Sequence, residues 1–455
     1  MKPILINISG SSGVGKTTIA KMIVLILSNI DKKVLHLSGD DLHKWERDDE
    51  NWNKFTHLNP EANNLNLGKK QLFRLLNNSY IIRNIYDHKT GKFIKDIKIN
   101  PVDVIVNEGL HALYDTDVCN IADLNIFVNT DVELTKEWKM SRDIESRGYT
   151  EEQVLSIMKM RDKDDKKYIQ PQIENADIIV NFSKKPYDSV DMKIFSNIKE
   201  SELIIKLQKF YDLHKDFIML CRSLSFEYDL IQGAGGNISY KFDDKIIITS
   251  SGHTMSDVSM LNGYSVCSLD GMPIDKNQKR PSMEIKLHTQ IDSPVVLHTH
   301  PIYLNTILCS QNSKEIMDSI LDDYDYIPYT SPGNDLALNF SSNKKIVLLE
   351  NHGLVCSGDT FEEVIEESLS INKLCKAWLI RNTKTFTNYS TIFKDSKNEN
   401  FLFPDAVILE EENSSINNYM LHIQKEVGLN PRYLSVDEIT KLRNMEEEKY
   451  RMNIT

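Results

Sequence analysis

The stretch "ISGSSGVGKTT", residues 8–18, constrains this chain more than any other. Gly10, Ser11, Ser12, Gly13, Val14, Gly15, Lys16 and Thr17 fit the pattern G-x-x-x-x-G-K-[ST], with apolar "ILINIS" before them and "KTTIAKMIVLIL" behind. A strand that turns through glycines into a helix is the setting this pattern needs. Its backbone N–H groups curl around phosphate oxygens, and the helix directs its positive end at them. Lys16 is expected to reach the β- and γ-phosphates of ATP and Thr17 to join the Mg²⁺ shell, with Thr18 beside it.

Further strand-like runs ("KKVLHLSG", "VDVIVNEG", "LNIFVN", "ADIIVNF") alternate with helical stretches. That order predicts an α/β fold over residues 1–185, a parallel sheet flanked by helices. Residues 186–204 have mixed polarity without a period and are read as a linker. A second α/β domain, 205–455, opens on the helical "ELIIKLQKFYDLHKDFIMLCRSL" and runs through short strands to a helix at 360–382. A polar loop at 383–400 and a helical tail follow. Two domains suit a chain of 455 residues.

A net charge of −12 argues against a general nucleic-acid or membrane-surface role, while leaving room for small anionic substrates at local basic clusters. The six cysteines form no C-x-x-C pair, which points to reduced thiols in a cytoplasmic protein. The longest apolar stretch, "MIVLILSNI", is well short of a bilayer span.

Chemistry-bearing residues cluster in both halves. Asp40, in "SGDDLHKWER", ends the second strand, where a carboxylate faces the crevice that binds ligands; the same "DD" also suits a helix cap. Glu108 ends the next apolar strand, either near the metal or as a plain loop carboxylate. Lys139 and Arg142 share a helix face by i, i+3 spacing, with Arg147 at the helix end, as a phosphate-facing set or as solvated surface. In the second half, "VVLHTHP" puts His298 and His300 on one face of a strand. With His352 of "LLENHGL" they could supply a three-nitrogen zinc site with an open position, or they are core imidazoles. Glu284, on a predicted helix in "RPSMEIKLHTQ", could move a proton beside that metal or be surface charge. The loops "GAGGNIS" and "ITSSGHT" offer N–H groups and hydroxyls to a phosphate, or are hairpin turns.

Residues 1–182 resemble the phosphoribulokinase/uridine kinase family through "GDDLHKWER", "FTHLNPEANNL", "VNEGLH" and "WKMSRDIESRGYTEEQVLSIMKMRDKDDKKYIQPQ". The resemblance implies a P-loop kinase with Asp40 as catalytic base and His43 and Arg47 as sugar-phosphate contacts. It makes Glu108 the acidic residue on the metal side, and Lys139, Arg142 and Arg147 the basic set for ATP and sugar phosphate. "YDHKTGK", beginning at Tyr86, lies where relatives shape the acceptor pocket.

Residues 206–380 resemble the class II aldolase/adducin family through "GAGGNIS", "IITSSG", "PSMEIKLH", "VVLHTHP", "IPYTSPGNDLA" and "LLENHGL", in that family's order. The resemblance implies an α/β/α domain with His298, His300 and His352 as zinc ligands and Glu284 as acid/base at the metal. Asn237, Ser251, Gly252 and Ser282 become the phosphate-binding set. Tyr329 becomes a proton donor supplied by a neighbouring subunit, hence a homotetramer. Met283 departs from the pattern, standing where many aldolases have a second serine. "FLFPDAVIL" and "NMEEEKYR" resemble the tails of some bacterial sugar aldolases.

The expectation is a bifunctional enzyme of carbohydrate metabolism. One half would phosphorylate a sugar or sugar-phosphate hydroxyl with ATP; the other would cleave a ketose phosphate reversibly at zinc. The alternatives are epimerase or dehydratase chemistry at the zinc site, and a kinase fold that senses nucleotide without turnover.

Overall fold

The computed structural model describes residues 2–28, 32–52, 54–185, 190–198, 202–275, 278–383, 386–387 and 400–454. Its contacts divide the chain into two units, Met1–Leu213 and His214–Thr455.

The described strands of the first unit are β1 (Ile4–Ser9), β2 (Val34–Ser38), β3 (Ile81–Asp87), β4 (Lys92–Ile99), β5 (Val104–Glu108), β6 (Leu124–Thr130), β7 (Ile178–Lys184) and β8 (Val190–Ser196). Six of them form one sheet in the order β2-β5-β1-β6-β7-β8. It is parallel except at the β7–β8 edge. Helices cover both faces, so β1 is apolar along most of its length instead of alternating. On one face Leu5, Leu37 and Ile105 pack on Leu72, Leu75 and Leu76 of the helix Leu65–Leu76. The chain steps outward from β1 to β2, returns through β5, then crosses to β6 on the other side of β1. This reversal opens a crevice at the carboxyl ends of β1 and β5, the place where α/β sheets bind ligands.

Two features depart from the sequence expectation. β3 and β4 pair only with each other, as a separate antiparallel ribbon. The stretch 186–204, read as a linker, contains β8, and the helix Glu202–Phe226 begins in it too. β8 is an edge strand in which only Met192 is fully buried, so its apolar period is too weak to see. The boundary between the units falls instead inside that helix.

The second unit holds β9 (Asn237–Phe242), β10 (Lys245–Thr249), β11 (Tyr264–Ser268), β12 (Val295–Thr299), β13 (Asp325–Ile327), β14 (Ile346–Leu349) and β15 (Gly353–Gly358). Their order is β11-β10-β9-β12-β15-β14-β13, antiparallel except for β13 with β14. Every residue of β10, β12 and β15 is buried. The helix Phe361–Asn382, capped by the Thr360 hydroxyl on Glu363 N–H, packs on β12 and β15. The tail adds helices Pro404–Ile408, Glu410–Val427, Val436–Asn444 and Glu446–Ile454. Most of the expected loop at 383–400 lies outside the described residues.

One contact holds the turn that carries Asp40 against the segment leaving β5. A Cβ on Gly39 would lie 2.8 Å from Gly109 Cα, and one on Gly109 would lie 2.9 Å from Gly39 Cα. Backbone meets backbone there, so no flexible side chain can yield. Gly39→Ala is therefore expected to destabilise the first unit by about 1–3 kcal/mol. Urea unfolding followed by tryptophan fluorescence checks this; an unchanged midpoint would contradict it.

Candidate active sites

In the first unit β1 delivers the chain to the glycine loop, and the helix Lys16–Leu27 starts at its end. Gly13 has a φ of +87°, and a Cβ there would lie 2.3 Å from Lys139 Cγ. Lys139, on the helix Val132–Arg147, thus lies against the loop. Lys16 Nζ donates to Ser11 O at 2.8 Å, and Thr17 Oγ1 donates to Glu108 Oε2 at 3.4 Å.

The "DD" pair splits its roles. Asp41 is committed to structure: it takes an ion pair from buried Arg83 at 3.0 Å and accepts from Tyr86 N–H at 2.9 Å. Asp40 instead faces a cavity that Glu108, His43 and His111 also line. His88 Nε2 lies 3.1 Å from Asp40 Oδ2, and His43 Nε2 lies 3.7 Å from Oδ1. Arg47 donates to His88 O at 2.8 Å and its N–H to Gly91 O at 2.9 Å, so it holds the β3–β4 turn that carries His88. The Tyr86 ring meets His43 edge-on, with centroids 5.3 Å apart.

His88 was not singled out from sequence, although it sits inside "YDHKTGK"; its only signal is its place two residues beyond Tyr86. Arg142 pairs with Asp143 at 2.8 Å. The Arg147 side chain lies outside the described residues.

Electrostatics follow from these neighbours. Desolvation opposes ionisation of Asp40, but the His88 hydrogen bond and the charges of His43, His88 and Lys16 outweigh it and hold the carboxyl below its usual range. Burial lowers Lys16, against the pull of Glu108 and Asp40. Burial, then the positive charges of Arg161 and Arg142, lower Lys139 to about 8.

The second unit places the three sequence-predicted histidines together, all buried, with ligand nitrogens within 4.8 Å of one another. His298 and His300 leave one face of β12 and its end. His352 follows Asn351, a residue with a φ of +52° in the β14–β15 turn. Asn351 Nδ2 donates to Leu402 O at 2.6 Å and Arg432 O at 2.7 Å, so the tail pins this turn.

The protonation pattern is readable from partners. His298 Nδ1 lies 3.0 Å from Leu354 O, and His300 Nδ1 lies 2.8 Å from Asp405 Oδ2. Both partners only accept, so both Nδ1 atoms carry the hydrogen. The two Nε2 atoms lie 2.9 Å apart, both turned toward His352 and Glu284. Burial lowers His298 and takes His352 to about 3, which keeps these rings neutral.

Glu284 completes the cluster, with Oε2 at 3.4 Å from His298 Nε2 and Oε1 at 3.5 Å from His352 Nε2. It immediately precedes the helix Ile285–Gln290 rather than lying within it. Asn237 Nδ2 donates to its Oε2 at 2.8 Å, whereas Oε1 has no hydrogen-bond partner. Burial opposes its ionisation, but His298, His352 and Asn237 hold it below the usual carboxylate range. Three imidazoles and a carboxylate with one unpartnered oxygen are a donor set that fits zinc.

Asn237, Ser251, Gly252 and Ser282 share one cavity with Glu284 and His352. Sequence reasoning missed Asp405, Glu448 and Arg451, which line the same cavity from the tail. They lie inside the two tail motifs, but neither motif marks which residue turns inward. Tyr329 is not among the cavity's lining residues. Its ring packs against Ala234, Val407 and Leu434 under the Arg432 guanidinium, and its hydroxyl has no hydrogen-bond partner.

Lys139 gives a direct electrostatic test. In the nucleotide-free chain it is expected to titrate near pH 8, cationic below and neutral above. Phosphate binding favours the cation, so MgATP should raise that midpoint and bind more weakly as pH rises from about 7 to about 9. NMR of labelled lysine checks this; a midpoint at the ordinary lysine value would contradict it.

Residues 5–186 match the family model "Phosphoribulokinase / Uridine kinase family", and residues 215–379 match "Class II Aldolase and Adducin N-terminal domain". The phosphoribulokinase of Synechocystis sp. is 34% identical over 177 residues, covering 39% of this chain and 53% of its own length. The chain thus spans about half the length of that relative. The uridine kinase of Ureaplasma parvum is 34% identical over 190 residues, covering 39% of this chain and 87% of its own. Among solved structures, the N-terminal class II aldolase domain of a Thermoplasma acidophilum protein is 19% identical, with a TM-score of 0.34, covering 41% of this chain and 97% of that one. With the parallel sheet and its glycine loop, the family-model match and the uridine kinase relative place the chain in the phosphoribulokinase/uridine kinase family through its first unit, while its second unit is similar to the class II aldolase and adducin N-terminal domain.

Proposed function

We propose that the chain is a bifunctional enzyme of carbohydrate metabolism, an ATP-dependent sugar kinase joined to a metal-dependent aldolase. The observation that carries this reading is the buried convergence of His298, His300 and His352, their ligand nitrogens within 4.8 Å of one another, beside Glu284. Gathering three imidazoles and a carboxylate in a core costs free energy that a bound cation would offset.

In the kinase half Lys16 and Lys139 offset the charge on the phosphoryl group in transfer, and Thr17 and Glu108 would hold Mg²⁺. Asp40 accepts the proton of the acceptor hydroxyl, oriented by His88 and His43. Arg47 and Tyr86 fix the β3–β4 turn over the acceptor.

In the aldolase half His298, His300 and His352 would hold zinc, which when bound polarises a substrate carbonyl. Glu284 moves the proton beside it, its hydrogen bond from Asn237 setting its orientation. Ser251, Gly252 and Ser282 offer hydroxyls and N–H groups to a substrate phosphate. Met283 supplies no polar contact there. By the family resemblance Tyr329 would act as proton donor in a neighbouring subunit of a homotetramer, which its hydroxyl, buried in its own chain, could reach only after rearrangement.

Separate knockouts test the two halves. Asp40→Asn is expected to lower phosphoryl transfer by about 10²–10⁴-fold while leaving ATP binding and the second activity intact. Glu284→Gln is expected to lower cleavage by a similar factor and leave ATP consumption unchanged. A screen of sugars and sugar phosphates, with ATP use and products followed by mass spectrometry, reads both. Full activity in either variant would remove that residue from its role, and products without a three-carbon fragment would remove the aldolase reading.

A further inference from the structure

The segment that matches the aldolase family ends at residue 379, yet the histidine cluster leans on residues well beyond it. Asp405 sits at the start of the tail helix Pro404–Ile408, and its side chain is 3% exposed. Its Oδ2 lies 2.8 Å from His300 Nδ1, and its Oδ1 lies 2.9 Å from Arg451 Nη2. Arg451, in the last helix, is itself paired with buried Glu448 at 3.0 Å and donates to Ala234 O at 3.4 Å. The neighbouring glycine leaves the room this arrangement needs. A Cβ on Gly235 would come within 2.6 Å of Asp405 Oδ2 and 3.0 Å of His300 Nδ1.

We propose that the carboxy-terminal tail is a working part of the metal site. Asp405 is a positioning residue that fixes the tautomer and orientation of His300, and Arg451 holds Asp405 in place. A carboxylate on the far nitrogen of a ligating imidazole raises its basicity and stops the ring from rotating. Here that carboxylate is tied down by a second buried charge from the end of the chain. His300 thus keeps its Nε2 turned to His298 only while the tail is docked. The inference rests on the reading of the three histidines as a metal site.

The test uses the full chain with Asp405→Asn, Asp405→Ala and Arg451→Met, reading zinc affinity by chelator competition and the visible spectrum of the Co²⁺-loaded protein. Asp405→Ala is expected to weaken zinc by about 10–100-fold and to shift the cobalt bands. Asp405→Asn, which keeps an acceptor oxygen without the charge, should fall between it and the parent and keeps the test open if the alanine variant does not fold. Arg451→Met should move both readouts in the same direction by a smaller factor. ATP affinity at the first unit serves as the control for an intact chain. Parent-like zinc affinity in the Asp405 variants would overturn the proposal, and so would weaker zinc with an unchanged cobalt spectrum. A parent chain that binds no zinc would instead remove the metal reading, and this inference with it.

Discussion

The Nε2 atoms of His298 and His300 lie 2.9 Å apart in the buried interior of the second unit, with His352 and Glu284 beside them. Nothing in the hydrophobic effect brings such polar groups together, and burying them costs free energy unless each finds a partner. Much of the second unit is arranged around that juxtaposition. β12 sets His298 in register with Asn237 of β9 and Val355 of β15, with His300 just beyond its end. The left-handed Asn351 swings His352 in from the next hairpin. Glu284 enters from the head of a short helix, and the tail grips both Asn351 and His300. A single divalent cation at the meeting point would turn each of these costs into a bond.

The first unit solves a different problem by the same means. Its candidate residues sit on the rim at the carboxyl ends of the strands, where loops are brought within reach of one another by contacts too tight for an added Cβ. Gly39 against Gly109 seats the turn that holds Asp40, and Gly13 under Lys139 seats the phosphate loop. Asp41 shows how economical the rim is. It spends its carboxylate on Arg83 and on the Tyr86 N–H, which frees its neighbour Asp40 to face the cavity.

Much of this was legible in the chain because the relevant signals are local. A glycine loop between a strand and a helix, two histidines at strand spacing and a carboxylate at a strand end each mark a candidate position within a few residues. The parts that stayed hidden depend on distance along the chain. β8 lay unseen because an edge strand with one fully buried side chain has no period to read. His88 came to Asp40 through a ribbon whose pairing could not be inferred, and Asp405 came to His300 across more than a hundred residues. An aspartate inside "FLFPDAVIL" reads as a helix-start residue until the fold shows what it faces. Tyr329 illustrates the converse: its motif is plain, but its own chain does not bring it to the cavity.

X-ray absorption at the zinc edge of the purified full-length chain tests the central claim most directly. The account predicts about one zinc per chain, with first-shell scatterers that include three imidazole nitrogens at about 2.0–2.1 Å. Protein free of bound metal after expression with zinc, or a zinc whose coordination shell lacks three imidazole nitrogens, would contradict it.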